Sequence, residues 1–374
     1  MRVLVAPNAL KGSLAAVEAS QAMARGVQRA LPAAEIDLCP VADGGDGFVQ
    51  VLAILPGMQL RRSWVSGPLG RPVQAGWLYR DDAAMAVIDV AGAAGLGLLE
   101  PCDYDVMHAD TRGVGELVCA ALDVGARRIL IGAGGSAGCD GGTGLAAALG
   151  VRFRDRSGRV VPAGGHGLVD IVQIDLCGLD PRLRQVRLEL VCDVDSPLLG
   201  PCGAARLFAP QKGADAAQVE RLEAGLAAFA GRVEAFGGSR VRGQPGAGAA
   251  GGLAVTVLGL LGGRCIAGAL RVLDLLDFDR RLMRSDLVLS AEGCLDRQTL
   301  RGKAPAEVAR HARGAGVPCM LFAGRVEDKA DMREALGAEA VVALADSGLP
   351  QHRLLREAER LLEDAVARTL AGYC

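Results

Sequence analysis

Short apolar runs without polar interruption recur along this chain, and helical patterns fall between them. Val3-Leu4-Val5-Ala6 and Ile129-Leu130-Ile131 are two such runs. A strand with one face in water alternates apolar and polar residues. A continuous apolar strand belongs to a sheet covered on both faces, which is the habit of parallel sheets. The spacing predicts strands at 3–6, 36–41, 85–90, 128–132, 187–193, 286–291, 318–323 and 340–345. It predicts helices at 14–31, 113–124, 144–149, 215–230, 304–312 and 352–370. Ser13 is the expected N-cap of the first helix and Pro32 its stop. Strands alternating with helices give an α/β fold with mainly parallel strands.

Both ends of the chain read as simple βα repeats, whereas residues 60–110 are rich in turns, including Gly67-Pro68-Leu69-Gly70-Arg71-Pro72. The expected organisation is therefore two domains. A Rossmann-like parallel-sheet domain is built from both chain ends, residues 1–62 and 285–374, and a second α/β domain, residues 63–284, is inserted into it.

Composition removes several classes of function. The net charge is −2 and no basic stripe is present, which argues against nucleic acid as a partner. The 11 cysteines include no Cys-x-x-Cys pair, and Cys192, Cys265 and Cys319 sit in apolar runs, as small buried hydrophobes in a reducing compartment do. The N-terminus reads as a strand rather than a signal peptide. Residues 246–263 are uncharged but thick with glycine, and are expected to be a glycine loop leading into a buried helix rather than a membrane span. A cytoplasmic protein without a membrane partner is the expectation. Aromatic residues make up 3% of the chain, so Leu, Val, Ala and Ile must build the core.

Glycine is abundant, at 52 residues, and clusters where strands give way to helices. Two of these clusters carry carboxylates: Asp43–Gly47, and Gly134–Gly144 with Asp140 inside it. Glycines let backbone N–H groups approach and cradle oxyanions, and a nearby carboxylate can hold Mg²⁺ or accept a hydroxyl proton. No Walker A motif is present, which points to phosphate chemistry outside the P-loop class. Pro7–Ser13 follows the first strand, opens the first helix and adds Lys11 as a mobile cation near a helix start. Asp193 closes an expected strand, where a carboxylate can accept a proton or hold Mg²⁺, and Lys212 lies in a loop before a helix. Glu292, Asp296, Gln298, Thr299 and Lys303 put acid, amide, hydroxyl and ammonium groups within twelve residues. Gly132–Ala137 also fits the terminal-Ala variant of a dinucleotide fingerprint, although Asp155 alone is placed to bind a ribose, and it sits in a charged, turn-like run. A nucleotide-dependent oxidoreductase and a non-catalytic ligand-binding protein are therefore the rival readings.

Six stretches, taken in order, resemble the glycerate kinases of the bacterial glyoxylate/glucarate-pathway type: Ala6–Leu14, Ala42–Gly47, Gly132–Gly144, Cys192–Gly213, Gly246–Leu253 and Glu292–Pro305. The resemblance covers nearly the whole chain. It implies an ATP- and Mg²⁺-dependent enzyme that phosphorylates D-glycerate at the 2-hydroxyl, with the 3-hydroxyl or a related small hydroxy acid as the alternative. It also implies that the outer domain is assembled from both chain ends, and it leaves a homodimer open. By position, Asp193 becomes the base or substrate-orienting carboxylate and the metal ligand, with Lys303 as its catalytic partner. Lys11, Ser13, Asp43, Glu292 and Asp296 would bind substrate. Gly134, Gly135, Ser136, Asp140, Gly141 and Lys212 would form the nucleotide loop. Two positions depart from the family pattern. Asn8 stands where the family often has Asp, and Cys294 stands where it often has Arg, which removes one anion contact.

Overall fold

The computed structural model describes residues 1–45, 47–192, 196–237 and 240–373. It is an α/β structure whose chain separates into two compact units: Met1–Leu55 with Ala267–Cys374, and Pro56–Ile266. The divisions at 55/56 and 266/267 differ from the expected 62/63 and 284/285. Strand Met58–Ser66 pairs along its whole length with Pro72–Arg80, so it goes with the second unit. Helices Gly268–Leu275 and Phe278–Leu282 go with the first.

The unit made from the chain ends holds a five-stranded, fully parallel sheet. Its order is Ala340–Ala343, Cys319–Val326, Leu287–Leu295, Arg2–Val5, Glu35–Leu38. From Arg2–Val5 the chain moves outward to Glu35–Leu38. From the adjacent Leu287–Leu295 it moves outward in the opposite direction. The reversal makes the junction of these two strands a topological switch point, and ligands of such sheets bind beyond the carboxyl ends of the strands there. The ends of these strands and the loops leaving them carry candidate site residues: Pro7–Ser13 and the segment from Glu292 to Lys303. The core beneath is Val3, Val5, Met23, Leu289, Phe322, Leu362 and Val366, all fully or nearly fully buried.

Helices Ala16–Ala30 and Ala358–Ala371 pack so closely that a Cβ on Gly26 would lie 2.5 Å from the Glu363 carbonyl oxygen and 2.8 Å from the Val366 Cβ. Arg25 and Arg29 clamp the same crossing through ion pairs to Glu359, Glu363 and Asp364. Two local expectations fail here. Ser13 is not the N-cap: the helix begins at Ala16, and the Ser13 hydroxyl donates to the Leu10 carbonyl instead, closing a turn that a bridge between Leu10 and Leu14 holds. The predicted C-terminal helix 352–370 is two helices, Gln351–Arg356 and Ala358–Ala371.

The inserted unit holds a mixed six-stranded sheet in the order Arg264–Ala267, Arg187–Cys192, Arg128–Gly132, Met85–Asp89, Pro72–Arg80, Met58–Ser66. The strands from Met85, Arg128 and Arg187 run parallel, and the last two form an antiparallel hairpin. This hairpin lies in the region read from sequence as turns. Gly67–Arg71 is indeed its turn, but Arg61-Arg62 interrupts the alternation that would have marked the first strand. Arg61 resolves this by lying over the Trp77 and Tyr79 rings of its partner. Within residues 246–263 the backbone turns left-handed at Ala250 and Gly251 and then enters the short, largely buried helix Ala254–Gly259. Among the described residues no helix is long and apolar enough to cross a membrane.

The Gly26 crossing yields a prediction. Gly26→Ala forces the two helices apart and should lower stability by roughly 1–3 kcal/mol, the usual cost of overpacking. Thermal unfolding should show a melting temperature several degrees below wild type; an unchanged value would contradict the tight crossing.

Candidate active site

In the end-built unit, the first strand runs into Pro7-Asn8-Ala9. The Asn8 amide N–H donates to the Ala291 carbonyl at 2.8 Å, tying this loop to the neighbouring strand. The Asn8 side chain is buried; its Oδ1 accepts from the Ala9 N–H at 2.8 Å and its Nδ2 donates to Asp43 Oδ2 at 3.2 Å. An Asp at position 8 would set two carboxylates against each other, whereas the Asn8 amide donates to Asp43. Asp43 Oδ1 accepts from the Gly45 N–H at 3.1 Å. Gly293 lets the next strand approach: its Cβ would stand 2.9 Å from the Lys11 backbone nitrogen. The Lys11 side chain is exposed.

Glu292 lies near the end of the adjacent strand and is 7% exposed. Its Oε1 is 3.4 Å from Lys303 Nζ and its Oε2 is 3.4 Å from Thr299 Oγ1. Burial pushes the Glu292 carboxyl up to about 7; Lys303 opposes that rise, and Asp43 and Asp296 add to it. Burial pulls the Lys303 ammonium down, but Glu292, Asp296 and Asp43 outweigh this and hold it above its ordinary value. Lys303 is thus a fixed cation among three acids. Asp296 is mostly committed to its own turn, accepting from the Gln298 N–H at 2.9 Å and the Thr299 N–H at 3.0 Å. Cys294 faces Arg325 across the parallel strand pair, and the guanidinium lies 3.8 Å from its sulfur. A guanidinium therefore stands beside position 294, although it comes from the neighbouring strand.

In the inserted unit, the glycine loop follows strand Arg128–Gly132. Lys212 is 4% exposed and donates to Ser136 Oγ at 2.8 Å and to the Gly138 carbonyl at 2.7 Å. Burial lowers its basicity, partly offset by Cys139 and Asp140. Gly134 and Gly135 remain accessible, and Gly135 has φ +69°, which suits glycine. Asp140 is fully buried. It accepts from Thr111 N–H at 3.1 Å and Oγ1 at 2.8 Å, Gly142 N–H at 3.0 Å and Gly144 N–H at 2.9 Å. Its lone pairs are therefore spent on the protein. Gly141 is equally occupied: a Cβ there would meet the Phe229 ring at 2.9 Å. The structure thus brings Gly134, Gly135, Ser136 and Lys212 together, with the two glycines accessible and Ser136 and Lys212 buried beneath them, while Asp140 and Gly141 build the loop from behind.

Sequence reasoning missed Thr111, whose hydroxyl donates to Asp140 and accepts from the Leu145 N–H at 3.0 Å. It also missed Asp110, pushed up to about 6 by burial and by Asp140. Asp110-Thr111 before the predicted helix at 113 carried a capping signal that would have drawn attention to both. The dinucleotide fingerprint does not fit the geometry: the helix after this loop begins only at Thr143, and Asp155 is occupied by Ser157 and Arg159 in a surface turn. Asp193 lies outside the described residues. Among the described residues no group of three His, Cys, Asp or Glu side chains is arranged to hold a metal ion.

Glu292 has a measurable thermodynamic signature. Its folded value of about 7 lies above the ordinary glutamate value of about 4.3, so the folded state binds this proton more tightly. The associated stability is complete below about pH 4 and is lost as pH rises through 7. Between about pH 4 and pH 8 the stability of Glu292→Gln relative to wild type should therefore rise by roughly 3 kcal/mol. Denaturant unfolding across that range checks it; a difference independent of pH would contradict the raised value.

Comparison with known proteins agrees over the full chain. The model of the glycerate kinase family matches residues 3–373. A Bacillus subtilis protein named glycerate kinase is 40% identical over 372 residues, covering 100% of this chain and 97% of that one. An Escherichia coli K12 protein named glycerate 2-kinase is 37% identical over 347 residues, with coverages of 93% and 91%. A crystal structure from Salmonella typhimurium LT2, provisionally described as glycerate kinase 2, superposes with TM-score 0.82 at 35% identity and covers 100% of this chain and 98% of its own. The chain belongs to the glycerate kinase family.

Proposed function

We propose that this enzyme transfers the γ-phosphoryl group of ATP to the 2-hydroxyl of D-glycerate, giving 2-phosphoglycerate and ADP. The observation that carries the reading is the acid–lysine cluster at the switch point of the parallel sheet, in which buried Glu292 sits among half-buried Lys303, Asp43 and Asp296. The name glycerate 2-kinase of the Escherichia coli relative favours the 2-hydroxyl over the 3-hydroxyl.

In this reading Lys11 and Lys303 hold the oxygens of glycerate, and Asp43 and Glu292 meet its hydroxyls. Ser13 and Asp296 contribute mainly by fixing the turns that present these groups. The N–H groups around Gly134, Gly135 and Ser136 take the nucleotide phosphates, with the Lys212 charge beneath them. Asp140 and Gly141 hold that loop in shape. Asp193 would hold Mg²⁺, which would supply positive charge to the ATP phosphates, and would orient the hydroxyl. Phosphoryl transfer asks little covalent chemistry of the protein. Positioning and charge stabilisation dominate, and the two lysines provide the latter. The two compact units serve as the two domains of the enzyme, and the cytoplasm, where ATP is abundant, is its proposed compartment.

The test is ADP release by the purified chain. Release should require both glycerate and Mg²⁺ and should stop with EDTA, with no glycerate-dependent change in NAD(H) absorbance. Asp193→Asn should lower kcat by at least about 100-fold while the protein still folds. Glycerate-independent ADP release, or near-normal turnover by that variant, would contradict the reading or the role of Asp193 respectively.

A further inference from the structure

Four carboxylates among the described residues are almost entirely removed from water, Asp89, Asp140, Glu189 and Glu292, and they are treated differently. Asp89 caps a helix and accepts from the Gly92 N–H at 2.6 Å. Asp140 accepts four hydrogen bonds, all at 3.1 Å or less. Glu189 is fully buried between Arg128, Arg187 and Arg264, with Arg128 at 2.7 Å and Arg187 at 2.8 Å. Glu292 is as well buried as a glutamate in a working core, yet among the described residues neither of its polar contacts is shorter than 3.4 Å. The Thr299 hydroxyl has one proton, and three acceptors compete for it at the same 3.4 Å: Glu292, the Cys294 carbonyl and Asp296. A buried carboxylate has room for about four donors, and leaving it short of them is costly. Asp140 and Glu189 show that this fold can satisfy such a group. At Glu292 it does not.

We propose that Glu292 is the proton acceptor of the phosphoryl transfer, its unfilled lone pair reserved for the substrate hydroxyl. The proposal rests on the glycerate kinase reading above and assigns a step within it. The hydroxyl donates its hydrogen bond to Glu292. As the substrate oxygen forms its bond to the γ-phosphorus, its proton passes to the Glu292 carboxylate. The bond from the γ-phosphorus to the bridging oxygen breaks, and its electron pair leaves with ADP. Glu292 then releases the proton to solvent. The charged groups that face Glu292 are Lys303, Asp43 and Asp296, with Thr299 as the neutral neighbour. Their balance keeps the carboxyl titrating near neutrality, where a general base works best. Asp193 keeps its place at the metal and in orienting the substrate.

The experiment compares pH profiles of the full-length wild type, Glu292→Gln, Glu292→Asp and Asp193→Asn. Wild-type kcat/KM should fall below about pH 7. Glu292→Gln should lose at least 100-fold in kcat, keep its KM for ATP and lose the acid limb. Glu292→Asp should keep the limb at reduced kcat, and Asp193→Asn should keep it too. In parallel, ¹³C-carboxyl NMR of glutamate-labelled protein should show one resonance with a midpoint near 7 that is absent from Glu292→Gln, a readout that needs no turnover. An active wild type alongside Glu292→Gln turnover within threefold of it, or an unchanged acid limb in that variant, overturns the role of Glu292 alone. So does a midpoint in the ordinary carboxylate range. A wild type that releases no ADP with glycerate overturns the functional reading and this step together.

Discussion

A carboxylate taken out of water must be met by donors or give up its charge, and that constraint shapes both units of this protein. In the inserted unit Asp140 draws in the N–H groups of Thr111, Gly142 and Gly144, and so dictates the path of the glycine loop. Glu189 gathers Arg128 and Arg187 on adjacent strands, together with Arg264. Such groups are poor sources of net stability but strong specifiers of one arrangement, because removing a partner leaves an uncompensated charge. In the end-built unit the same constraint is left partly unmet at Glu292, and the deficit falls at the switch point of the sheet.

The glycines follow from this need for close approach. Gly138 and Gly144 would, with a Cβ, meet the backbone of residues 109–112 at 2.5 Å. Gly142 would meet the Thr256 side chain at 2.7 Å, where the Thr256 hydroxyl donates to the Gly141 carbonyl. Much of the glycine loop is therefore an assembly device that carries Ser136 and the accessible Gly134–Gly135 pair over Lys212. On the other unit, Gly293 allows the Lys11 backbone to lie against the strand that carries Glu292.

The parallel strands were legible from sequence because burial on both faces writes itself as unbroken apolar runs, as at Val3–Ala6 and Ile129–Ile131. The hairpin Met58–Ser66 with Pro72–Arg80 was not, because Arg61 is stabilised by aromatic rings on the partner strand, a contact that no local pattern reveals. The Ser13 cap failed for a related reason: the hydroxyl found a carbonyl three residues back before the helix began. Motif order named candidate site residues but could not rank them. Asp140 and Glu292 look alike in sequence, each a carboxylate beside glycine. Four close donors make Asp140 a structural staple, whereas the contacts of Glu292 are no closer than 3.4 Å.

The most direct measurement is ³¹P NMR of the product formed from D-glycerate, ATP and Mg²⁺ by the purified chain. The account predicts the phosphorus resonance of 2-phosphoglycerate, appearing in step with ADP. A 3-phosphoglycerate resonance would contradict the proposed site of transfer, and inorganic phosphate alone would contradict glycerate as the acceptor.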